Sequence, residues 1–345
     1  MIARPWLALG AGLPLAGLIG WVFTLGHVPL GWILGAMLGG AIVSNIFGYP
    51  AHSTNVRRAG QVLIGTAAAT VLTPDILQYM FTLLPEMITA AVVANVAAAL
   101  LIWPFAKITG VDHTTAALSV LPAGMAEMAS LAQDLGARTE VVVVVHTLRV
   151  VLVVVSIPII LQLTAVTAPA IEVAEGATYA ALVTCLLLGT AIAYGISRLG
   201  VLNPWILMPM VVGVFLVSFG FPLMLLPQPL MIIAQIGIGF ALGTRFRLSD
   251  LAHLPLVTVG AVVTGCALIF LMTFGVAPLM AAFTGADHLS LVLGLAPGGL
   301  GEMLATSKAV GGVTALVVGF QVIRSFFTNM LAPIVIVRFF HRQKH

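Results

Sequence analysis

Two glutamates and two arginines lie inside strongly apolar segments of this chain and could do chemistry at membrane depth. Glu127 and Glu302 are 175 residues apart, and so are Arg149 and Arg324. A charged side chain in such surroundings is costly unless it faces a partner, a cavity or water. The glutamates could therefore couple the movement of a solute to protons or cations. They could equally act locally, because a carboxylate in the first turn of a short helix is stabilised by the helix dipole and caps free backbone N–H groups.

The two arginines require partners, because a buried and unpaired guanidinium is not tolerated. We expect each to pair with the glutamate of its own half or with Asp112 or Asp287, or to contact an anionic substrate directly. Both aspartates come just before short helical segments, which favours helix capping as their own role.

A proline and a glycine precede each glutamate, Pro122 with Gly124 and Pro297 with Gly299. Proline removes a backbone donor and glycine weakens a helix, so both segments are predicted to be interrupted near their middle. Free amide groups at such a break suit an anion, whereas the glutamates suit cations or protons. We take an anionic solute as the first choice, and the sequence leaves the sign open. The predicted binding residues are Pro122, Gly124, Glu127, Arg149, Pro297, Gly299, Glu302 and Arg324.

These residues recur because the chain contains an internal duplication. Residues 109–159 align with 284–334 without a gap, and the alignment matches charged, glycine and proline positions at a constant offset. Such matches do not arise from apolar composition alone. We predict a first transmembrane repeat at 1–163, an acidic linker at 164–175 and a second transmembrane repeat at 176–345.

The composition requires a membrane. Hydrophobic residues make up 61% of the 345 residues, charged residues make up 7%, and the mean hydropathy is +1.16. No short segments of strict alternation are present, so helices rather than a barrel must span the bilayer. The predicted class is an all-α polytopic membrane protein. Twelve apolar elements form two sets of six, near 5–26, 28–47, 59–74, 77–103, 113–135 and 140–163, and near 176–197, 203–221, 229–245, 253–275, 288–309 and 313–337.

The distribution of positive charge bears on whether the fifth element of each half crosses the membrane or re-enters. With re-entrant fifth elements and a cytoplasmic N-terminus, 11 of the 14 Lys and Arg residues lie on the cytoplasmic side. Five crossings per half would then invert the second repeat relative to the first and place both termini in the cytoplasm. Inverted repeats with interrupted segments are typical of secondary transporters, with the site at the repeat interface. A broken helix that truly crosses stays open as the alternative.

Several other functions find no support in the residues. The eight histidines and two cysteines form no metal-ligand spacing, and no phosphate-binding loop is present. The basic residues are scattered through short loops instead of forming a nucleic-acid surface. We therefore predict that the protein is not an enzyme, with no catalytic residue, no bound metal and no cofactor. The predicted partners are a small solute or ion and the lipid bilayer, without nucleic acid, and homo-oligomerisation is left open.

Three features together resemble the membrane AbrB family. They are the Pro-x-Gly-x-x-Glu-Met segments at 122–128 and 297–303, the Gly60–Gln61 pair, and the matched arginines and prolines of the sixth elements. The resemblance covers essentially the whole chain and implies a bacterial inner-membrane protein. Members of the family carry labels as regulators of gene expression or as ammonia monooxygenases, and no residues here suit an oxygenase.

The sequence thus predicts a secondary-transporter-like protein that moves a small, anionic solute coupled to protons or sodium. The alternative is a membrane sensor or regulator with a transporter-like fold, which would affect gene expression indirectly, as the family label implies.

Overall fold

The chain folds into α-helices throughout the part described by a computed structural model, which comprises residues 5–28, 30–47, 54–70, 74–163, 176–199 and 203–339. Within these residues the only β-type pairing is an isolated bridge between Thr178 and Leu223. The predicted all-α class is confirmed. The proposed linker, 164–175, lies outside the described residues.

The helices follow the same order in the two halves. Those of the first half are α1 Pro5–Leu25, α2 Gly31–Phe47, α3 Thr54–Ala69, α4 Pro74–Thr82, α5 Leu84–Leu100, α6 Ile102–Thr109, α7 His113–Val120, α8 Met125–Asp134 and α9 Thr139–Leu163. Those of the second half are α10 Tyr179–Ile196, α11 Pro204–Ser218, α12 Gln228–Gly243, α13 Leu248–Ala252, α14 Pro255–Phe270, a π-helical segment Leu271–Val276, α15 Ala277–Thr284, α16 His288–Leu295, α17 Leu300–Val310 and α18 Thr314–Phe339. The duplication read from the sequence therefore extends to the helical elements.

Five helical segments of the described chain are long and apolar enough to cross a membrane. They are Leu84–Thr109, Thr139–Ile157, Tyr179–Ile196, Gln228–Ala252 and Pro255–Thr284. The protein is thus membrane-like in its helices as well as its composition.

The fourth element of the first half differs from the prediction, which placed it near 77–103. The structure begins it at Leu84 and ends it at Thr109, after the separate helix α4. Pro85 lies in the first turn, where its missing N–H leaves no bond unmade. Gly110 ends the element in the left-handed conformation, with φ of 69°. The predicted boundaries were wrong because average hydropathy over a window does not detect a helix-starting proline or a helix-ending glycine.

The chain divides into two compact units that both draw on both halves. The first unit comprises Met1–Thr82, Pro158–Arg247 and Leu300–Ala315, and the second comprises Leu83–Ile157, Leu248–Gly299 and Leu316–His345. In the first unit α2 packs on α12, α11 packs on α3, and α3 and α12 pack on each other. In the second unit α6 packs on α7 and α14, and α15 packs on α5 and α16.

Helices α3 and α12 of the first unit, which are equivalent in the two repeats, run antiparallel. Ala67 and Thr70 at the end of α3 line the same cavity as Gln228 and Met231 at the start of α12. This is the relative direction that inverted repeats predict for this pair. The inversion of the complete repeats stays a prediction.

Glycines permit the closest helix contacts in the first unit. A Cβ atom built on Gly65 of α3 would collide with the carbonyl oxygen of Ile206, and one built on Gly239 of α12 would collide with the carbonyl oxygen of Ile33. These two contacts are equivalent in the repeats. They follow the general use of small residues where membrane helices approach closely.

We expect Gly65→Ala and Gly239→Ala each to destabilise the protein by about 1–3 kcal/mol, because backbone must move to admit the methyl group. Gly10→Ala is the matched control, since a Cβ atom there meets nothing within 4 Å. Thermal unfolding of the purified variants in detergent measures the difference. Equal melting temperatures for Gly65→Ala and Gly10→Ala would contradict the packing argument.

Candidate functional site

Both interruptions predicted from proline and glycine are present. The first lies between the end of α7 at Val120 and the start of α8 at Met125, and the second lies between α16, which ends at Leu295, and α17, which begins at Leu300. Extended backbone connects the half-helices. Each broken element therefore exposes one helix C-terminus and one helix N-terminus within the fold.

The aspartates before the broken elements are helix caps, as predicted. Asp112 accepts hydrogen bonds from the backbone N–H of Thr115 at 2.9 Å and from its hydroxyl at 2.6 Å. Asp287 accepts the same two bonds from Ser290, also at 2.9 and 2.6 Å. Both caps begin the first half-helix of their element and hold its direction.

Arg149 of α9 binds the carbonyl groups at the first interruption. Its Nη1 atom donates to the carbonyl oxygens of Val120 at 3.2 Å and Leu121 at 3.0 Å. Its Nη2 atom donates to the carbonyl oxygen of Ala123 at 3.4 Å. The guanidinium thus occupies the C-terminal end of α7.

Arg324 of α18 does the same at the second interruption. Its Nη1 atom donates to the carbonyl oxygens of Leu295 at 3.0 Å and Ala296 at 2.6 Å, and its Nη2 atom donates to that of Gly298 at 3.3 Å. Each of these positions is the repeat equivalent of one bound by the other arginine. The arrangement is therefore duplicated contact by contact.

A third side chain completes each cluster, although its residue type differs. His146 places Nε2 2.9 Å from the carbonyl oxygen of Leu118 and Nδ1 3.0 Å from Nη2 of the arginine. Gln321 donates from Nε2 to the carbonyl oxygen of Leu293 at 2.9 Å, and its Oε1 accepts from the arginine at 2.6 Å. Since a carbonyl needs a donor and a guanidinium needs an acceptor, the imidazole is neutral, with its proton on Nε2.

His146 and Gln321 contact equivalent carbonyl and guanidinium groups in the two repeats. His146→Gln should therefore leave the stability of the protein close to that of the parent. His146→Ala should lower it by about 1–3 kcal/mol, because a buried carbonyl and a guanidinium N–H lose their partner. His253→Ala, at an exposed position, controls for loss of a histidine. Melting temperatures in detergent provide the measurement, and a Gln variant as damaged as the Ala variant would contradict the equivalence.

The described partners of the arginines are backbone carbonyls and the side chains of His146 and Gln321, where the sequence led us to expect a carboxylate or an anionic substrate. The last carbonyls of a helix have no intrahelical partner, and the helix dipole gives that end a partial negative charge. A guanidinium satisfies several such oxygens at once. The positive charge of Arg149 also acts on the guanidinium of Arg324 within the second unit.

The remaining predicted residues of this unit line the interruptions themselves. Pro122 and Pro297 are buried within the two breaks. Gly124 is the N-terminal cap of α8, and Gly299 directly precedes α17, with both half-buried. All of the eight predicted residues except Glu302 thus belong to the second unit.

The two predicted glutamates do not lie at equivalent places in the two compact units. Glu302 lies in the first turn of α17, in the first unit, and is only 5% exposed. Its Oε2 atom has no hydrogen-bond partner among the described residues, and Arg245 lies near enough to attract it. Glu127 lies in α8, and its side chain is outside the described residues.

Sequence reasoning missed a polar cluster beside α17. This helix packs against α3 and α12, which carry the repeat-equivalent Gln61 and Gln235, exposed by 6% and 8%. Lys308 of α17 places Nζ 3.5 Å from the hydroxyl of Thr70. Lys308, Gln235, Gln228 and Thr70 line a cavity of about 220 Å³ together with apolar residues such as Met231. The two glutamines were the available signal, and Gln61 was used only in the family resemblance.

A larger groove of about 840 Å³ in the same unit has a different character. Apolar side chains such as Val62, Leu186 and Leu187 form most of its lining. At one end the guanidinium of Arg58 lies over the ring of Trp205, 5.0 Å from the centroid. Asn55, Thr190 and Tyr194 also contribute polar groups to this lining.

The described residues contain no group of three or more His, Cys, Asp or Glu side chains that could hold a metal ion. Both cysteines are free, with Cys185 buried and Cys266 exposed.

Apolar helices, two interruptions and arginines bound to their carbonyls together define a polytopic membrane protein built from a duplicated helical unit. The chain belongs to the AbrB family, because the family model described as "Transition state regulatory protein AbrB" matches residues 32–341. The chain is similar to "Uncharacterized protein YhjN" of Bacillus subtilis (strain 168), with 26% identity over 91% of this chain and 88% of the relative. It is also similar to "Putative regulator AbrB" of Escherichia coli (strain K12), with 26% identity over 91% of each chain.

Proposed function

We propose that this protein is a secondary transporter of a small, anionic solute, coupled to protons or sodium. The observation that carries the proposal is the pair of interrupted helices, each bound at its carbonyl end by an arginine inside the membrane. Interrupted helices at matching positions of two repeats are the usual construction of transporter sites. Non-helical backbone inside the membrane leaves N–H and C=O groups without hydrogen bonds, which costs free energy unless protein or water satisfies them.

The two ends of each interruption are unequal in charge. The arginines satisfy and neutralise the carbonyl ends of α7 and α16. The first turns of α8 and α17 still present N–H groups without intrahelical partners, and the helix dipole makes these ends partly positive. In the second unit, the start of α8 and the positive Arg149 favour an anionic ligand.

Glu302 offers a means of coupling. A carboxylate at membrane depth with an unbonded oxygen can take up and release a proton, or can contact a sodium ion. The helix dipole and Arg245 offset part of the cost of its negative form. Contact between such a carboxylate and the coupling ion is what coupled transport requires of Glu302.

The proposal includes the setting of the protein. It lies in a bacterial inner membrane with both termini in the cytoplasm and its two repeats inverted. It acts without enzyme chemistry, cofactor or nucleic acid, and its partners are the solute or ion and the lipid. The word "regulator" in the name of the Escherichia coli relative supports the alternative, which is a sensor that binds the same solute without moving it.

Flux measurements on proteoliposomes test the proposal. The purified protein is reconstituted, and acetate, lactate, malate and inorganic phosphate are tested for uptake under an imposed pH or sodium gradient. We expect one of these anions to accumulate, and a protonophore or sodium ionophore to abolish the accumulation. Binding of an anion without any gradient-driven flux would contradict transport and favour the sensor.

A further inference from the structure

The cavity between the end of α3, the start of α12 and the C-terminal part of α17 is built unlike an ordinary packing gap. Its volume is about 220 Å³, which is several times the roughly 30 Å³ that one water molecule occupies in the liquid. Lys308 of α17 and Gln235 of α12 line it. Thr70, which follows the last residue of α3, and the exposed Gln228, which begins α12, also line it. Lys308, Gln235 and Gln228 can therefore donate hydrogen bonds into one small space, whereas the Thr70 hydroxyl donates to the carbonyl oxygen of Ala67 at 2.8 Å.

Lys308 and Gln235 have few partners among the described residues. The described contact of Lys308 is a single one, the 3.5 Å approach to Thr70, which is at the limit of a hydrogen bond. Gln235 is 8% exposed, and its side chain forms no hydrogen bond in the described part of the chain. Buried polar groups are nearly always hydrogen-bonded. A ligand that accepts hydrogen bonds would supply the partner that these two side chains lack.

The charge of the cavity selects the kind of ligand. Among the described residues that line it, Lys308 is charged and none is acidic. The start of α12 adds the partly positive end of a helix. Glu302 lies six residues earlier on α17, which is about 9 Å along the helix and on another face. A cation would meet only donors here, whereas an oxyanion would meet a complementary set.

The two repeats differ at this point, which argues against a purely architectural lysine. The repeat position of Lys308 is Gln133 of α8, and that residue is exposed. The duplicated packing therefore does not call for a positive charge. The lysine is an addition to one half only.

We propose that this cavity is a binding site for a small oxyanion, a carboxylate or phosphate compound, in which Lys308 supplies the charge and Gln235 and Gln228 donate hydrogen bonds. The inference rests on the proposed transport function, because it gives that function its substrate class and a second polar site. The size of the cavity limits the ligand to a few heavy atoms beyond the anionic group.

Equilibrium binding of radiolabelled acetate and inorganic phosphate to the purified protein tests the site. We expect saturable binding of at least one of the two, weakened tenfold or more by Lys308→Met and measurably by Gln235→Leu. Lys107→Met is the matched control, since it removes an exposed lysine by the same substitution. Lys308→Arg should retain part of the affinity because it keeps the charge. Melting temperatures of all variants show whether each is folded.

The outcomes separate the site from the transport function. Saturable binding that depends on Lys308, without flux in proteoliposomes, would keep the site and overturn transport. Flux that Lys308→Met leaves unchanged would keep transport and overturn the site. No saturable binding of either anion, or equal binding by the parent and Lys308→Met, would also overturn the site.

Discussion

Arg324→Ala should unfold at a much lower temperature than the parent, with a loss of stability of about 3–5 kcal/mol. The substitution removes the donors to the carbonyls of Leu295, Ala296 and Gly298 and to the side chain of Gln321. These acceptors then lie in a buried, apolar interior without partners. Arg149→Ala should have a similar effect, because its contacts are the repeat equivalents.

The lysine variant tests whether the shape of the Arg324 side chain, and not only its charge, stabilises the protein. Arg324→Lys keeps the charge but loses the planar fork that reaches several carbonyls at once, so its stability should fall between those of the parent and Arg324→Ala. Arg138→Ala is the control, since Arg138 is exposed and pairs only with Glu140 at the surface. If Arg324→Ala melts like Arg138→Ala, the carbonyl contacts are not what holds the interruption.

Glu302→Gln should reduce coupled transport more than tenfold while leaving the protein folded. Glutamine has nearly the same shape but cannot take up or release a proton. Its stability should stay within about 1 kcal/mol of the parent, because loss of the dipole and Arg245 interactions is offset by no longer burying a charge. Solute flux in proteoliposomes and melting temperature are measured on the same preparations.

The exposed Glu140 provides the control for this prediction. Glu140→Gln removes a carboxylate that pairs with Arg138 at 3.1 Å on the surface, and neither flux nor stability should change. A variant Glu302→Gln that is less stable but transports normally would show that the glutamate only stabilises its helix. The same substitution at Glu127 then asks whether both repeats take part in coupling.

The partner of the arginines shows where sequence reasoning reaches its limit. The sequence required that Arg149 and Arg324 have partners, because an unpaired guanidinium is excluded from an apolar interior at any position in the fold. Which partner each finds depends on the register of α9 against α7 and of α18 against α16. Packing sets that register, and it brings each guanidinium to the carbonyl end of a half-helix.

The same limit explains the missed cavity. Lys308 and Thr70 are 238 residues apart in the chain and meet only because α17 packs against α3 and α12. No periodicity or motif joins them. The paired glutamines were visible in the sequence, but their common neighbour was not.

What the sequence by itself determined is the helical class, the membrane character, the duplication and the position of both interruptions. Each of these follows from local or covalent properties, since apolar composition, Pro297 with Gly299 and a constant offset act without any knowledge of distant contacts. Only the tertiary structure decided that His146 and Gln321 do the same work, that Glu302 and Arg324 belong to different compact units, and that Lys308 faces a cavity. These facts depend on contacts between residues far apart in the chain, and the free energy of packing that selects them is shared among many side chains.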